Sequence, residues 1–350
     1  MQVVFSIGNR VGGIGGICVV AYYEVEGIKR KGYLRQLISV PFPLNKLASI
    51  KPYEFSVVFD RYAASRIKKC DIFHGWGGMC VESIKKAKQQ GAVIFWEGSS
   101  THPLTRDEIM EEEYKKNGME LAIDKRLEDR LIEEISMVDY ITTPSKFAMD
   151  SYIHYGFPKE NLFLVPYGVD LKKFAPAPKP SKFTVLYSGQ VCLRKGVQYL
   201  LEAWKELNLK DAELHIVGKV WSEMKPVIEQ YQMPNVTVTG KVEDTLNYYQ
   251  NASLFVFPTL EEGSALVTYE AMACGLPIIT TENSGSVVRN QKDGFIVKPK
   301  DASQLCKSIQ HFYDKRDRLI TMGNNARKRA EEYPWERCGD GICKAYEKVI

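Results

Sequence analysis

The sequence predicts an α/β protein built from two parallel sheets, each wrapped by helices, in two separate domains. Three observations carry that expectation. Segments of strand length alternate with segments of helical periodicity along the whole chain. The 350 residues are too many for one ordinary core, and 45% hydrophobic residues are ample for two. Near the middle lies Ala175-Pro176-Ala177-Pro178-Lys179-Pro180, a proline-rich stretch that can join neither sheet.

In the first half, strands are expected at residues 3–7, 34–40, 71–73, 93–96, 140–142 and 162–165, all short apolar runs. Between them, residues 53–68 place Phe55, Val58, Phe59, Tyr62 and Ala63 at helical spacing. Residues 83–90, 127–138 and 146–155 also read as helices, two of them ended by Gly91 and Gly156. The acidic run Glu111-Glu112-Glu113 reads as a solvated helical face. The second half repeats the plan, with strands expected at 184–188, 213–217, 235–239, 254–257 and 278–280. Pro166-Tyr167-Gly168-Val169-Asp170 and the prolines after it mark the boundary, so the domains are expected over 1–168 and 169–335.

The chemistry concentrates in residues 262–277, EGSALVTYEAMACGLP. Ser264 is placed to cap a helix over 265–274, with Gly275 as its left-handed stop and Pro277 just beyond. A strand–loop–helix–strand unit of a parallel sheet binds ligands outside the carboxyl ends of its strands, where Glu262, Gly263 and the first helical N–H groups would lie. Free N–H groups and the positive helix end favour a phosphate. Glu262 and Glu270 add acceptors suited to sugar or ribose hydroxyls. Taken alone, each carboxylate reads equally as a dipole partner or a solvated helical residue. Ala271, Met272, Ala273 and Cys274 make the surroundings of Glu270 unusually apolar.

This run resembles the retaining nucleotide-sugar glycosyltransferases of glycosyltransferase family 4, in which two Rossmann-like domains face a cleft, the GT-B architecture. Glu262, Gly263, Glu270, Ala271, Met272, Ala273, Gly275 and Pro277 match that family's motif, and the Pro-x-Gly-Val-Asp element at 166–170 also belongs to it. The resemblance implies that Glu262 contacts the donor sugar and Glu270 the ribose, while main-chain groups of Ser264, Ala265, Leu266 and Val267 hold the sugar and diphosphate. It implies that base recognition uses main-chain groups near Gly218, Lys241 and Val242. It also implies a chain that crosses back at Pro334-Trp335, so that residues 336–350 pack on the first domain.

A second constellation follows the strand at 184–188: Gly189-Gln190-Val191-Cys192-Leu193-Arg194-Lys195-Gly196. Departure of a nucleoside diphosphate requires its negative charge to be neutralised, which fixed cations and helix-end amides can do. In the family an Arg directly follows the first Gly and a Lys directly precedes the second. Lys195 matches, Gln190 replaces the Arg, and Arg194 is the candidate to compensate. Two solvated cations at a helix entrance are the plainer alternative.

The glycine-rich loop carrying Gly12, Gly13, Gly15 and Gly16 follows the first strand. It lacks the spacing of a dinucleotide site and reads either as a plain turn or, by resemblance, as a loop lining the cleft. His102 ends another strand region, where it is either a surface histidine or, as in the family, a group touching the donor sugar. Lys29-Arg30-Lys31 with Arg35 is a short basic turn, solvated or in contact with an anionic membrane.

Composition narrows the function. A net charge of +4 gives no support for nucleic-acid binding. Eight scattered cysteines without a C-x-x-C pair read as reduced thiols of a cytoplasmic protein. No membrane-spanning run or signal peptide is expected. No D-x-D occurs, so no metal or other cofactor is expected. The reading is a retaining, metal-independent glycosyltransferase that moves a hexosyl group from a GDP- or UDP-sugar to a hydroxyl of a glycan or lipid-linked acceptor. The donor would bind the second domain and the acceptor the first. Alternatives are a sugar-nucleotide epimerase or hydrolase of the same architecture, and a catalytically degenerate nucleotide-sugar binder.

Overall fold

The computed structural model describes residues 1–12, 15–40 and 51–350. Gly13, one of the loop glycines, lies outside them. The first sheet contains β1 Val3–Ile7, β2 Leu34–Ser39, β3 Ile72–Trp76, β4 Val93–Glu97, β5 Tyr140–Thr143 and β6 Leu162–Leu164, in the order β2-β1-β3-β4-β5-β6. The second contains β7 Phe183–Ser188, β8 Ala212–Val217, β9 Val236–Gly240, β10 Leu254–Phe257, β11 Ile278–Thr281 and β12 Gly294–Val297, in the order β12-β11-β10-β7-β8-β9. Every named strand pair is parallel. Both are doubly wound, Rossmann-like sheets, as expected.

The strand order fixes where a ligand can bind. In an open parallel sheet, neighbouring strands whose connections run in opposite directions leave a crevice at their carboxyl ends. That switch point falls between β1 and β3 in the first sheet and between β7 and β10 in the second.

Contacts divide the chain into two compact units: Met1–Glu108, Glu120–Tyr167 and Trp335–Ile350 form the first, Ile109–Met119 and Gly168–Pro334 the second. Within the first unit, helix Trp335–Glu347 lies against helix Gly16–Arg30 through glycines. A Cβ at Gly27 would meet the Gly339 Cα at 2.5 Å, so only two glycines permit this approach. Tyr23 stacks on Trp335 with ring centroids 4.7 Å apart, and Tyr346 lies edge-on to Phe95 at 4.9 Å.

Three local expectations need correction. Glu113 is not solvated but fully buried, accepting hydrogen bonds from Gln198 Nε2 at 2.9 Å and the Tyr199 hydroxyl at 2.8 Å. Both partners lie in the second unit, with which Ile109–Met119 groups. The helix expected over 53–68 is Pro52–Ala64, since Pro52 suits a first helical position and Lys68 N–H bonds the Gln36 side chain instead. Strand β12 was not expected; it is a four-residue strand opening on a glycine, with a weak pattern. The basic turn is solvated, as expected, and its exposed cations form surface pairs: Lys29 with Glu26, Arg30 with Asp340 and Lys31 with Glu347. All eight cysteines are free thiols, and no described helix is long and apolar enough to cross a membrane.

Candidate active site

The two sequence constellations, almost 70 residues apart, meet at the switch point of the second sheet. Residues 189–195 leave the end of β7 and residues 258–264 leave the end of β10, its neighbour. Leu260 N–H donates to the Arg194 carbonyl at 2.8 Å and the Thr259 hydroxyl donates to the same oxygen at 3.1 Å, tying the loops together. Arg194 Nη1 then reaches the Glu261 carbonyl at 2.9 Å, Glu261 Oε2 at 3.1 Å and Glu262 Oε1 at 3.2 Å. Lys195 contacts the same Glu262 oxygen.

Neither cation is a solvated helix-entrance residue. Lys195 is buried, 5.6 Å above the Phe257 ring, and burial followed by the neighbouring Arg194 charge holds its ammonium well below the ordinary lysine range. A buried cation beside a second cation favours an anionic partner. Glu262 supplies one now, and a diphosphate would supply a stronger one. Glu261, which the sequence reading did not single out, is also buried and takes up part of the Arg194 charge.

Helix Leu266–Ala273 starts beside Glu262 and is shorter by one residue at each end than the sequence pattern implied. Ser264 does not cap it. Its hydroxyl donates to the Gly285 carbonyl at 2.9 Å and Ala265 takes the cap position without a side-chain bond. The amides of Leu266 and Val267 lie in the first turn, where no intrahelical acceptor exists. They remain available to an anion. Glu270 lies further along this helix, where the Tyr249 hydroxyl donates to its Oε2 at 2.9 Å. Burial pushes the Glu270 carboxyl up to about 7, against the lowering effect of that bond.

The remaining second-unit candidates line the same sheet edge. Gly189 N–H bonds the Val217 carbonyl at 2.9 Å and Gly218 N–H bonds the Gly240 carbonyl at 2.9 Å, so the loops after β7, β8 and β9 are laced in series. Gly218 has φ +146°, and a Cβ there would lie 1.7 Å from the Gly189 carbonyl oxygen. Only glycine fits. Lys241 and Val242 follow β9, the outermost strand, and Gln190 is exposed with its carbonyl accepting the Tyr187 hydroxyl at 2.6 Å.

The first-unit candidates are different in kind. Gly12, Gly15 and Gly16 follow β1 at that sheet's own switch point. His102 is buried rather than on the surface, stacked on Tyr155 at 4.3 Å, with its Nδ1 accepting the Leu104 N–H at 3.3 Å. Burial holds the ring down to about 4, so it is neutral at physiological pH with the proton on Nε2.

Residues 182–315 match the family described as glycosyl transferases group 1. The capsular polysaccharide biosynthesis glycosyltransferase CapM of Staphylococcus aureus is 32% identical over 157 residues, which is 43% of this chain and 41% of that protein. The chain thus spans less than half the length of this curated relative. Among solved structures, sucrose-phosphate synthase from Thermosynechococcus elongatus superposes with a TM-score of 0.74 at 20% identity, covering 100% of this chain and 99% of that one. HepE of Anabaena, solved in complex with UDP-glucose, gives 0.69 at 14% identity over 99% and 100% of the two chains.

Proposed function

We propose that the protein, a group 1 glycosyltransferase by the match over its second unit, transfers a hexosyl group from a nucleoside diphosphate sugar to an acceptor hydroxyl with retention of anomeric configuration. The observation that carries this reading is the convergence of Arg194 and Lys195 on Glu262 beside the open amides of helix Leu266–Ala273. Two cations and a helix end form a receptor for a diphosphate, and a carboxylate next to them is an acceptor for sugar hydroxyls.

In this mechanism the diphosphate takes over Lys195 and Arg194. Glu262 is released to bind the donor sugar, and Glu270 accepts from the ribose. As the bond from C1 to the diphosphate oxygen breaks, Lys195, Arg194 and the Leu266 and Val267 amides stabilise the charge that develops on that oxygen. The acceptor hydroxyl attacks C1 on the same face, and the departing phosphate oxygen takes its proton. Within the first unit, Gly12, Gly15 and Gly16 let the acceptor approach the backbone at that sheet's own switch point. Protein cations replace a metal in this scheme. A hexose on a uracil nucleotide is the favoured donor, by similarity to HepE with its UDP-glucose, with a guanine nucleotide as the alternative. The acceptor is a glycan or lipid-linked hydroxyl.

The test is a panel of nucleoside diphosphate sugars read first by thermal shift and then by nucleotide release with and without acceptor sugars. A ligand at 100 times its Kd adds about 2.7 kcal/mol of stability. Acceptor-dependent release that survives EDTA supports the reading. Release without any acceptor favours a hydrolase or epimerase, and binding without release favours a degenerate binder. Glu262→Gln is expected to lower turnover with nucleotide affinity kept, while Glu270→Gln weakens the nucleotide itself.

A further inference from the structure

At the opposite end of the second sheet lies a groove of about 860 Å³ that the proposed reaction does not use. Ser181, Ser253 and Gly275 precede β7, β10 and β11, so the groove opens at the amino edge of the strands, away from Glu262. The proline-rich segment forms one wall and helix Arg316–Glu331 the other. Four cations line it, Lys179, Arg316, Arg327 and Lys328, against one carboxylate, Glu331.

The cations divide into two kinds. Arg327 is structural: its guanidinium bonds the Phe174 carbonyl at 2.9 Å, the Ala273 carbonyl at 2.7 Å and Glu331 at 2.8 Å. Lys179, Arg316 and Lys328 form no ion pair with any described residue, in contrast to the paired Lys29, Arg30 and Lys31 of the first unit. Lys179 donates to the Cys274 carbonyl at 3.0 Å, and Arg316 lies over the Phe183 ring at 4.3 Å. Lys179 and Arg316 are thus held in place by neutral groups, a carbonyl and a ring, with no ion pair among the described residues to take up their charge.

The same helix face carries an apolar group. Arg316, Ile320, Asn324 and Lys328 recur every four residues and all line the groove. Ile320 is 69% exposed, the most exposed large hydrophobic residue described. A small soluble anion would gain from the cations but nothing from Ile320. A phosphate attached to an acylglycerol gains from both.

We propose that this groove binds the phosphate headgroup of an anionic lipid, so that the second unit docks on a membrane surface through helix Arg316–Glu331. The site is independent of the donor site, and its test does not require turnover. The full chain is sedimented with vesicles of phosphatidylcholine, alone or mixed with phosphatidylglycerol. Binding is expected only to the mixed vesicles. Arg316→Gln with Lys328→Gln should weaken it on the order of thirtyfold, at about fivefold for each charge removed near the surface. Ile320→Ser, at an exposed position, should weaken it with both charges intact. Lys29→Gln with Lys31→Gln removes the same net charge from the first unit and should leave it unchanged. An unaltered melting temperature in each variant separates loss of the site from unfolding. Equal binding to both vesicles overturns the proposal, as does sensitivity to the Lys29 and Lys31 pair in place of the Arg316 and Lys328 pair.

Discussion

The two units share a sheet plan but equip their switch points with opposite chemistry. In the second unit, Arg194, Lys195, Glu261 and Glu262 crowd between the ends of β7 and β10, and their charges face one another. In the first, the strands end over a network that burial keeps neutral. The Trp76 indole donates to Glu24 at 3.3 Å, Thr142 donates to Glu97, and the Tyr346 hydroxyl lies 2.5 Å from His74 Nδ1. Burial pushes Glu97 up to about 8 and Glu24 well above the ordinary carboxylate range, and it drops His74 to about 3. A parallel sheet supplies a crevice whatever its residues, and the side chains decide whether the crevice favours an anion. Burial acts in the second unit too, holding Lys195 below the ordinary lysine range and Glu270 up to about 7; what distinguishes its switch point is that charges of both signs converge there.

Substitutions and pH profiles break or sharpen this contrast. Lys195→Ala should have the largest effect, a loss of about 2.7–4 kcal/mol in transition-state stabilisation, with the decrease concentrated in kcat. A variant with normal kcat would place the leaving group elsewhere. Arg194→Ala should cost about 1.5–3 kcal/mol in kcat/KM, and the double variant should lose less than the sum because both residues act on one group. Gln190→Arg should help the Arg194→Ala enzyme more than the wild type. No change in either background would reduce Arg194 to a partner of Glu261.

In the first unit, Gly27→Ala drives a methyl group into Gly339 and should cost about 1–3 kcal/mol in denaturant unfolding, while nucleotide affinity is retained. An equal loss of affinity would make the first unit part of the donor site. The smallest effects come from pH, where similar shifts should give different readouts. The Glu97 carboxyl has a folded value raised above its unfolded one, so the native state holds the extra proton between about pH 4.5 and 8. The stability it contributes is full below that window and is lost as pH rises through it. Glu97→Gln should flatten that part of the stability profile. Ionised Glu270 is the stronger acceptor for a ribose hydroxyl, so donor affinity should weaken as pH falls through its value of about 7. Glu270→Gln should remove that dependence. A pH-independent affinity in the wild type would detach Glu270 from the nucleotide.

Much of the molecule was legible in the chain. Ten of the twelve strands fall within two residues of their expected bounds at both ends because apolar runs punctuated by glycine and proline are local signals; β3 extends three residues further and β12 was unforeseen. The candidate site was legible for a different reason. Its residues cluster in two short loops, each next to a strand with a clear pattern. The partners of those residues were not legible. Glu261, Tyr249 and Glu113 gain their roles from residues between 21 and 86 positions away, and no local periodicity records such a distance.

The sequence by itself determined the class of fold and the residue types that could handle a diphosphate, because each is set by composition and short-range spacing. Only the tertiary structure decided that β7 and β10 are neighbours, which places Arg194 and Lys195 on Glu262. It alone decided that Glu113 and His102 are buried and that Lys31 is paired with Glu347. The physical reason is desolvation. Whether a charge is solvated, paired or suppressed depends on what covers it, and coverage is set by strand order and helix packing rather than by neighbours in the chain.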